Sequence, residues 1–366
     1  METVKTSRTR LAYLDWLRGI AAVIMLQGHA FHAFTRTDLR EGGPYILSQF
    51  VGGMPPAIFL FLTGVTLAFL MDSGERKGLS RATRVVTAAR RSGYLFAIAY
   101  LFRFQLWLFG GPSATVNDLL KVDILNAMGL GILLMSIMAV FRTTQRVRYC
   151  AFVGLAIAAA SPLVSGMDWT GVPTLVRMYF APDHNFFSFF PWAAFLAFGM
   201  SAGSLLRVLK RDYLDRTMQW SALLGIGLIL GAYYASNLPY SIYTQSDFWL
   251  NSPAQIFIKL GVILVGLPFA FVWTEYGASH GWSWSWVRQL GTTSLLVYWV
   301  HIELVYGRWL YPLKENLDVG ETVLAAVVIT AAMLLLAAAK TYRDRWAPAL
   351  VAYLRPTPAP ARVSGD

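Results

Sequence analysis

LAYLDWLRGIAAVIMLQGHAFHAF, residues 11–34, has the length and apolar content of a membrane-crossing helix, yet it carries Asp15, Arg18, His29 and His32. A bilayer span needs about 20 residues at roughly 1.5 Å each. Arg18 and His29 are eleven residues apart, almost three turns, so at about 100° per residue their side chains point within roughly 20° of each other. Asp15 and His32 fall on the same side, and one arc of roughly 100° holds every ionisable group of the segment. The opposite face is Ala, Val, Ile, Leu and Met. An ionisable group in hydrocarbon is costly unless it faces a polar interior, so this arc is expected to look into a helix bundle and to mark a functional site.

Composition extends the reading to the whole chain. Of the 366 residues 56% are hydrophobic and 14% charged, and the mean hydropathy is +0.49; a soluble domain carries roughly 25% charged residues. The expected fold is all-α, a polytopic membrane protein of about ten transmembrane helices, near 12–35, 53–71, 92–109, 123–141, 149–164, 186–206, 218–236, 255–273, 290–310 and 321–340.

The net charge of +11 is distributed as a topology signal and not as a nucleic-acid surface. Alternate connections hold 22 Lys and Arg on one side and six on the other, with Arg18, Arg103 and Lys259 inside spans. The positive-inside rule then places both termini in the cytoplasm. Residues 1–11 read as a cytoplasmic tail, 12–340 as one membrane domain and 341–366 as a disordered cytoplasmic tail. The first span is too long and too rich in ionisable groups for a cleaved signal peptide. Cys150 is the single cysteine, which excludes an internal disulfide and a cysteine-based metal site.

The outer connections 36–52, 164–185 and 237–254 are rich in Gly, Pro, Asn and aromatics, as a substrate rim or plain interfacial loops would be. The basic connection 72–91 has the make-up of an amphipathic surface helix. MPPAIFLFLTG and FPWAAFLAFG both place Gly eight residues after Pro (Pro56 and Gly64, Pro191 and Gly199), a weak internal echo. Inverted repeats of this sort occur in transporters.

In the derived orientation Arg18 lies near the cytoplasmic edge and His29 about 16 Å further out. His301 falls near mid-depth of the ninth span, and Asp123 opens the fourth at the outer surface. Imidazole is the usual general base near neutral pH, and guanidinium forks suit phosphates. The path therefore fits a phosphate-bearing donor entering at Arg18 with Asp15, Arg84, Arg90 and Arg91, with an acceptor deprotonated, or the acyl group transiently carried, at His29, His32 or His301, and Asp123 as a further catalytic candidate. Each group also has a structural reading: Asp15 and Arg18 as an i, i+3 ion pair, Asp123 as an N-cap, the histidines as interhelical hydrogen bonds, the arginines as topology determinants. His184 and His280 lie in loops, and GWSWSW at 281–286 reads as an interfacial aromatic belt.

RLAYLDWLRGIAAVIMLQGH resembles the first helix of the transmembrane acyltransferase superfamily, in which Arg, ten residues and His recur. PPAIFLFLTG, VDILNAMGLG, FPWAAFLAFGMSAG and LGTTSLLVYWVH resemble, in order, segments of its heparan-α-glucosaminide N-acetyltransferase-like branch. The resemblance implies an enzyme of the bacterial inner membrane that uses acetyl-CoA, without a metal, to acetylate a sugar amine or hydroxyl of a glycan on the far side; a homodimer is left open. It places Arg18 and His29 on the motif, with Asp15, Asp123 and His301 on segments of less defined role. In the lysosomal enzyme of this branch an Asn stands where His29 is and the active histidine lies in the outer loop; here Phe34 to Gly53 has none. Many bacterial relatives have Asp before the histidine, where this chain has Gly28, so an orienting group must come from elsewhere. The rival class is a proton-coupled secondary transporter using Arg18, His29 and His301 as a relay.

Overall fold

The computed structural model describes residues 11–109, 115–277 and 285–347. Residues 1–10 and 348–366 of the two tails, His280 and most of the 281–286 aromatic belt lie outside these residues. The start of the tail read as disordered is instead ordered: 343–347 are helical and Trp346 donates to the Ala339 carbonyl at 2.7 Å. Within them the fold is all-α, with no sheet and one isolated bridge, Thr35 to Leu317. The helices are α1 Ala12–Phe34, α2 Gly43–Gly52, α3 Pro55–Arg76, α4 Arg81–Phe109, α5 Val116–Leu120, α6 Ile124–Met135, α7 Thr143–Ser165, α8 Thr174–Phe180, α9 Phe189–Val208, α10 Leu214–Ser236, α11 Pro253–Gly277, α12 Trp286–Thr292, α13 Ser294–Tyr306 and α14 Val319–Thr341. Among the described residues seven helices are long and apolar enough to cross a membrane, and the protein is an integral membrane protein.

α1 is not one of the seven, although it has 23 residues, because its polar stripe lowers its hydropathy. It packs against α2, α3, α11, α12, α13 and α14. A helix enclosed by other helices can carry polar side chains that lipid would not accept. α10, in contrast, buries only Met218, Gly225 and Ala232.

Two glycine crossings set the frame. A Cβ on Gly291 would lie 1.9 Å from the Asp15 carbonyl oxygen, and one on Gly19 1.9 Å from that of Val287. α1 and α12 therefore touch backbone to backbone, and the polar arc of α1 faces the α12–α13 pair. The sequence echo has a physical counterpart between α3 and α9. A Cβ on Gly64 would meet the Leu196 oxygen at 2.0 Å and one on Gly199 the Phe61 oxygen at 1.9 Å. Gly203 lies against Val65 and Ala68, so the two helices run in the same direction. The echo is a reciprocal contact of parallel helices, not an inverted pair.

Several boundaries differ from the sequence reading. The basic 72–91 stretch forms no separate surface helix: the chain turns at Lys77–Ser80, with Gly78 at φ +68°, and 81–91 are the opening turns of α4. The ninth span is broken at Thr293 into α12 and α13. There the Thr292 and Thr293 hydroxyls both donate to the Gln289 carbonyl, at 2.9 and 3.0 Å, and such back-bonding bends a helix. The fourth span continues past α6 as a tighter 3₁₀ turn, Ser136–Val140. The outer connections contain α2 and α8, while 237–252 has no helix.

Candidate active site

α13 follows the break at Thr293 and lays His301 against the C-terminal half of α1. His29 Nδ1 and His301 Nε2 are 2.9 Å apart, with ring planes within 10° of parallel. His301 Nδ1 lies 2.8 Å from the Val297 carbonyl oxygen. A carbonyl only accepts, so His301 Nδ1 carries the proton and donates, which leaves His301 Nε2 with a lone pair. His29 Nδ1–H must then donate to it. The remaining His29 nitrogen, Nε2, is thereby held in the acceptor form that a general base needs. His301 is fully buried and His29 half-buried, so only His29 presents an open edge. The orienting group missing at Gly28 is supplied from across the bundle by an imidazole.

His32 stands one turn further along α1 and is exposed. Its Nδ1 is 3.1 Å from the Tyr306 hydroxyl, and the Tyr306 ring edge packs on His29 with centroids 5.5 Å apart. Tyr298, one turn before His301 on the same face of α13, packs on His301 at 5.8 Å. The sequence reading did not single out either tyrosine; the three-residue spacing of Tyr298 from His301 was an available signal, whereas Tyr306, five residues on, falls about 140° round the helix.

The C-terminal end of α1 is clamped. Glu315 N–H donates to the Ala33 carbonyl at 2.9 Å, Leu317 N–H to that of Phe34 at 2.9 Å, and Arg36 N–H to that of Leu317 at 3.0 Å. Arg40 adds hydrogen bonds to the His32 and Thr35 carbonyls and an ion pair with Glu315 at 3.1 Å. The position of His29 is thus set at both ends, by glycine contact near Gly19 and by this strap.

The other sequence-derived residues lie apart from the pair. Asp15 and Arg18 form an i, i+3 ion pair at 3.0 Å, almost three turns from His29. Asp123 caps α6, accepting from the Leu125 and Asn126 amides at 2.9 and 3.3 Å, and pairs with Arg103 at 3.1 Å. It does not touch a histidine. Asn126 extends this polar group to the Tyr179 hydroxyl at 3.2 Å, which meets Tyr100 at 2.8 Å.

Arg84 is buried, 3.5 Å from Glu75, while Arg90 and Arg91 are exposed. The three cations therefore differ in their surroundings. Glu75 belongs instead to a network the sequence reading missed, because it joins α3, α7 and α9. Thr143 Oγ1 bonds Asp72 at 3.1 Å and Glu75 at 3.0 Å, Arg207 meets Asp72 at 2.7 Å, and the fully buried Arg146 donates to Thr143 at 2.7 Å. Beside it an open depression of about 500 Å³ is lined by Arg76, Arg142 and Arg207 together with Asp72 and Glu75. Among the described residues, no group of three or more His, Cys, Asp or Glu side chains is placed to hold a metal ion. Exposed His184 pairs with Asp247 at 3.2 Å, away from the pair.

The chain matches the family described as heparan-alpha-glucosaminide N-acetyltransferase, catalytic, over residues 10–232. A comparison with curated proteins gives no match. The matched region holds α1 to α9 and most of α10, including His29 and Asp123, while His301 and Lys259 lie beyond it. This match covers more than half of a chain built of apolar helices around a polar one: the protein belongs to the heparan-alpha-glucosaminide N-acetyltransferase catalytic family and is a membrane-embedded acyltransferase.

Proposed function

We propose that the protein moves an acetyl group from cytoplasmic acetyl-CoA to an amine or hydroxyl of a glycan on the opposite side of a bacterial inner membrane, with His29 as general base. In this reading the chain crosses the membrane ten times with both termini in the cytoplasm. The seven long apolar helices, α1, and the shorter α6 and α13 segments supply the ten crossings. The support for this orientation is the charge asymmetry of the connections.

The observation that carries the reading is the His29–His301 hydrogen bond backed by the Val297 carbonyl. The acceptor N–H or O–H donates to His29 Nε2, and the acceptor atom attacks the thioester carbonyl carbon as its proton passes to His29. The imidazolium so formed donates from Nδ1 to His301, a charge-assisted bond stronger than the neutral one. Collapse breaks the C–S bond, and His29 returns its proton to the CoA sulfur. The products are acetylated acceptor and free CoA. His301 acts as a positioning residue. Tyr306 shapes the outer side of the site and links it to His32.

For the donor phosphates the reading keeps Arg18, with its partner Asp15, and the exposed Arg90 and Arg91. It adds Arg76, Arg142 and Arg207 in the open depression, with Arg84 acting through Glu75. Asp123 is assigned to hold Arg103 and the start of α6.

The test is His29→Ala in purified protein supplied with radiolabelled acetyl-CoA and amino-sugar acceptors. General base catalysis is worth about 10²- to 10⁴-fold, so transfer is expected to fall by that factor while CoA binding and a monodisperse elution profile persist. Wild-type transfer by this variant removes His29 from the mechanism.

A further inference from the structure

Lys259 is a second polar anomaly, in the interior of apolar α11. Its ammonium lies 5.0 Å from the centroid of the Trp192 ring, and among the described residues no hydrogen bond or ion pair reaches it. A ring face offsets only part of the cost of taking an ammonium out of water. The other intramembrane cations differ: Arg18 has Asp15 and Arg103 has Asp123.

The position of the ammonium is informative. α1 and α11 run antiparallel, with Tyr13 on Phe271 and Leu17 against Gly266. Lys259 therefore starts below His29, and its long stem extends back up. A Cβ on Gly53 would be 3.8 Å from Nζ, and a Cβ on Gly28 would be 3.1 Å from the Gly52 Cα. Through the Gly52–Gly53 pair the ammonium is brought to the depth of Gly28 and thus of His29. Lys259 is half-buried, as is Trp192. Aromatic rings continue outward from this point: Phe187 lies 5.2 Å from Trp192, and Phe50 pairs with Trp249 at 6.0 Å with both rings exposed.

We propose that Lys259, between Trp192 and Gly53, is an oxyanion subsite for the acceptor, taking a phosphate or carboxylate group carried by the glycan or by a lipid to which it is linked. This rests on the reading that the acceptor approaches His29 from the outer side. The donor phosphates are excluded by position: the arginine-lined depression that suits them is at the opposite end of α3 and α9. Only the uncharged acyl end of the donor needs to reach the depth of His29. An ammonium that no protein anion pairs with among the described residues is matched to the charge of the other substrate, and the aromatic rim offers ring faces for sugar.

The experiment uses the full-length protein in nanodiscs and two soluble probes, glucosamine 6-phosphate and glucosamine, with a polyprenyl-phosphate-linked glucosamine as a third arm. Equilibrium binding, followed by tryptophan fluorescence, does not depend on turnover. The wild type is expected to bind at least one phosphorylated probe about tenfold more tightly than glucosamine, the scale of one charged hydrogen bond. Lys259→Met is expected to remove this preference, Lys259→Arg to keep most of it, and Gly53→Val, which fills the space over the ammonium, to act like Lys259→Met. A preference confined to the lipid-linked probe assigns the oxyanion to the lipid; one seen also with the soluble probe assigns it to the sugar. No preference in the wild type, or one unchanged in Lys259→Met and Gly53→Val, overturns the subsite. Charge-selective binding without acetyl transfer leaves the subsite standing and removes the reading of a glycan amine as the group acetylated. Equal transfer and equal binding of all three probes does the reverse.

Discussion

Replacing His301 by Phe tests the chemistry assigned to the histidine pair. The substitution keeps an aromatic ring in a fully buried position, but the ring is larger and leaves the Val297 carbonyl and His29 Nδ1–H without their partner, so a stability cost of about 1–3 kcal/mol is expected. What it removes is the acceptor nitrogen 2.9 Å from His29 Nδ1. In the resting pair that bond is neutral; when His29 takes the acceptor proton it becomes charge-assisted, worth about 1.5–3 kcal/mol. Only the excess over the neutral resting bond, about 1–1.5 kcal/mol, lowers the barrier, and at about 1.4 kcal/mol per factor of ten this corresponds to roughly a 5- to 12-fold fall in kcat. The loss should be smaller than that of His29→Ala, because the base itself remains. His301→Gln provides the control: its amide oxygen can accept from His29 Nδ1–H, and kcat should recover to within about threefold of wild type. Release of CoA, followed with a thiol reagent in the presence of an amino-sugar acceptor, gives kcat and KM for each variant. Wild-type kcat in His301→Phe, or equal losses in the Phe and Gln variants with matching losses of thermal stability, would refute the argument that His301 works by orienting His29.

Two further perturbations probe the frame. Gly291→Ala drives a Cβ to 1.9 Å from the Asp15 carbonyl oxygen, a backbone atom that cannot rotate away. It should cost about 1–3 kcal/mol and lower activity by shifting α12 and α13 from α1, whereas Gly227→Ala, with nothing within 4 Å, should leave the melting temperature unchanged; equal melting temperatures for all three proteins would contradict the crossing. Asp123→Asn leaves the Arg103 guanidinium without its partner at 3.1 Å and should cost about 3 kcal/mol, much of it regained in the Asp123→Asn, Arg103→Met double variant. Strictly additive losses in a double-mutant cycle would mean that the two residues do not act as a pair.

Much of the fold was legible because bilayer thickness imposes a length and the absence of water imposes helix. Each of the ten apolar runs coincides with helical structure, with ends displaced. The displacements have local causes that hydropathy does not register: the turn at Gly78 lets α4 begin in the basic stretch, and the paired threonine hydroxyls break the ninth run at Thr293. The site was legible in part. His29 and Arg18 stand out because hydrocarbon makes them conspicuous. The roles of Asp123 and Arg84 were less so, since a charge that caps a helix or closes an ion network reads the same in sequence as one that binds a substrate.

The sequence by itself determined the membrane class, the polar arc of α1 and the motif that leads to the acyltransferase family, since these depend on composition and on helical periodicity within one segment. Tertiary structure alone decided the partners of those residues. His29 and His301 are 272 residues apart in the chain, and the bond between them depends on α1 and α12 meeting at glycines and on the bend before α13. The same holds for Lys259, whose want of an anion partner and approach to Gly53 arise from the contacts of α11 with its neighbours. Periodicity fixes which face a side chain occupies; which helix lies opposite that face is set by side-chain volume and backbone approach between segments distant in sequence.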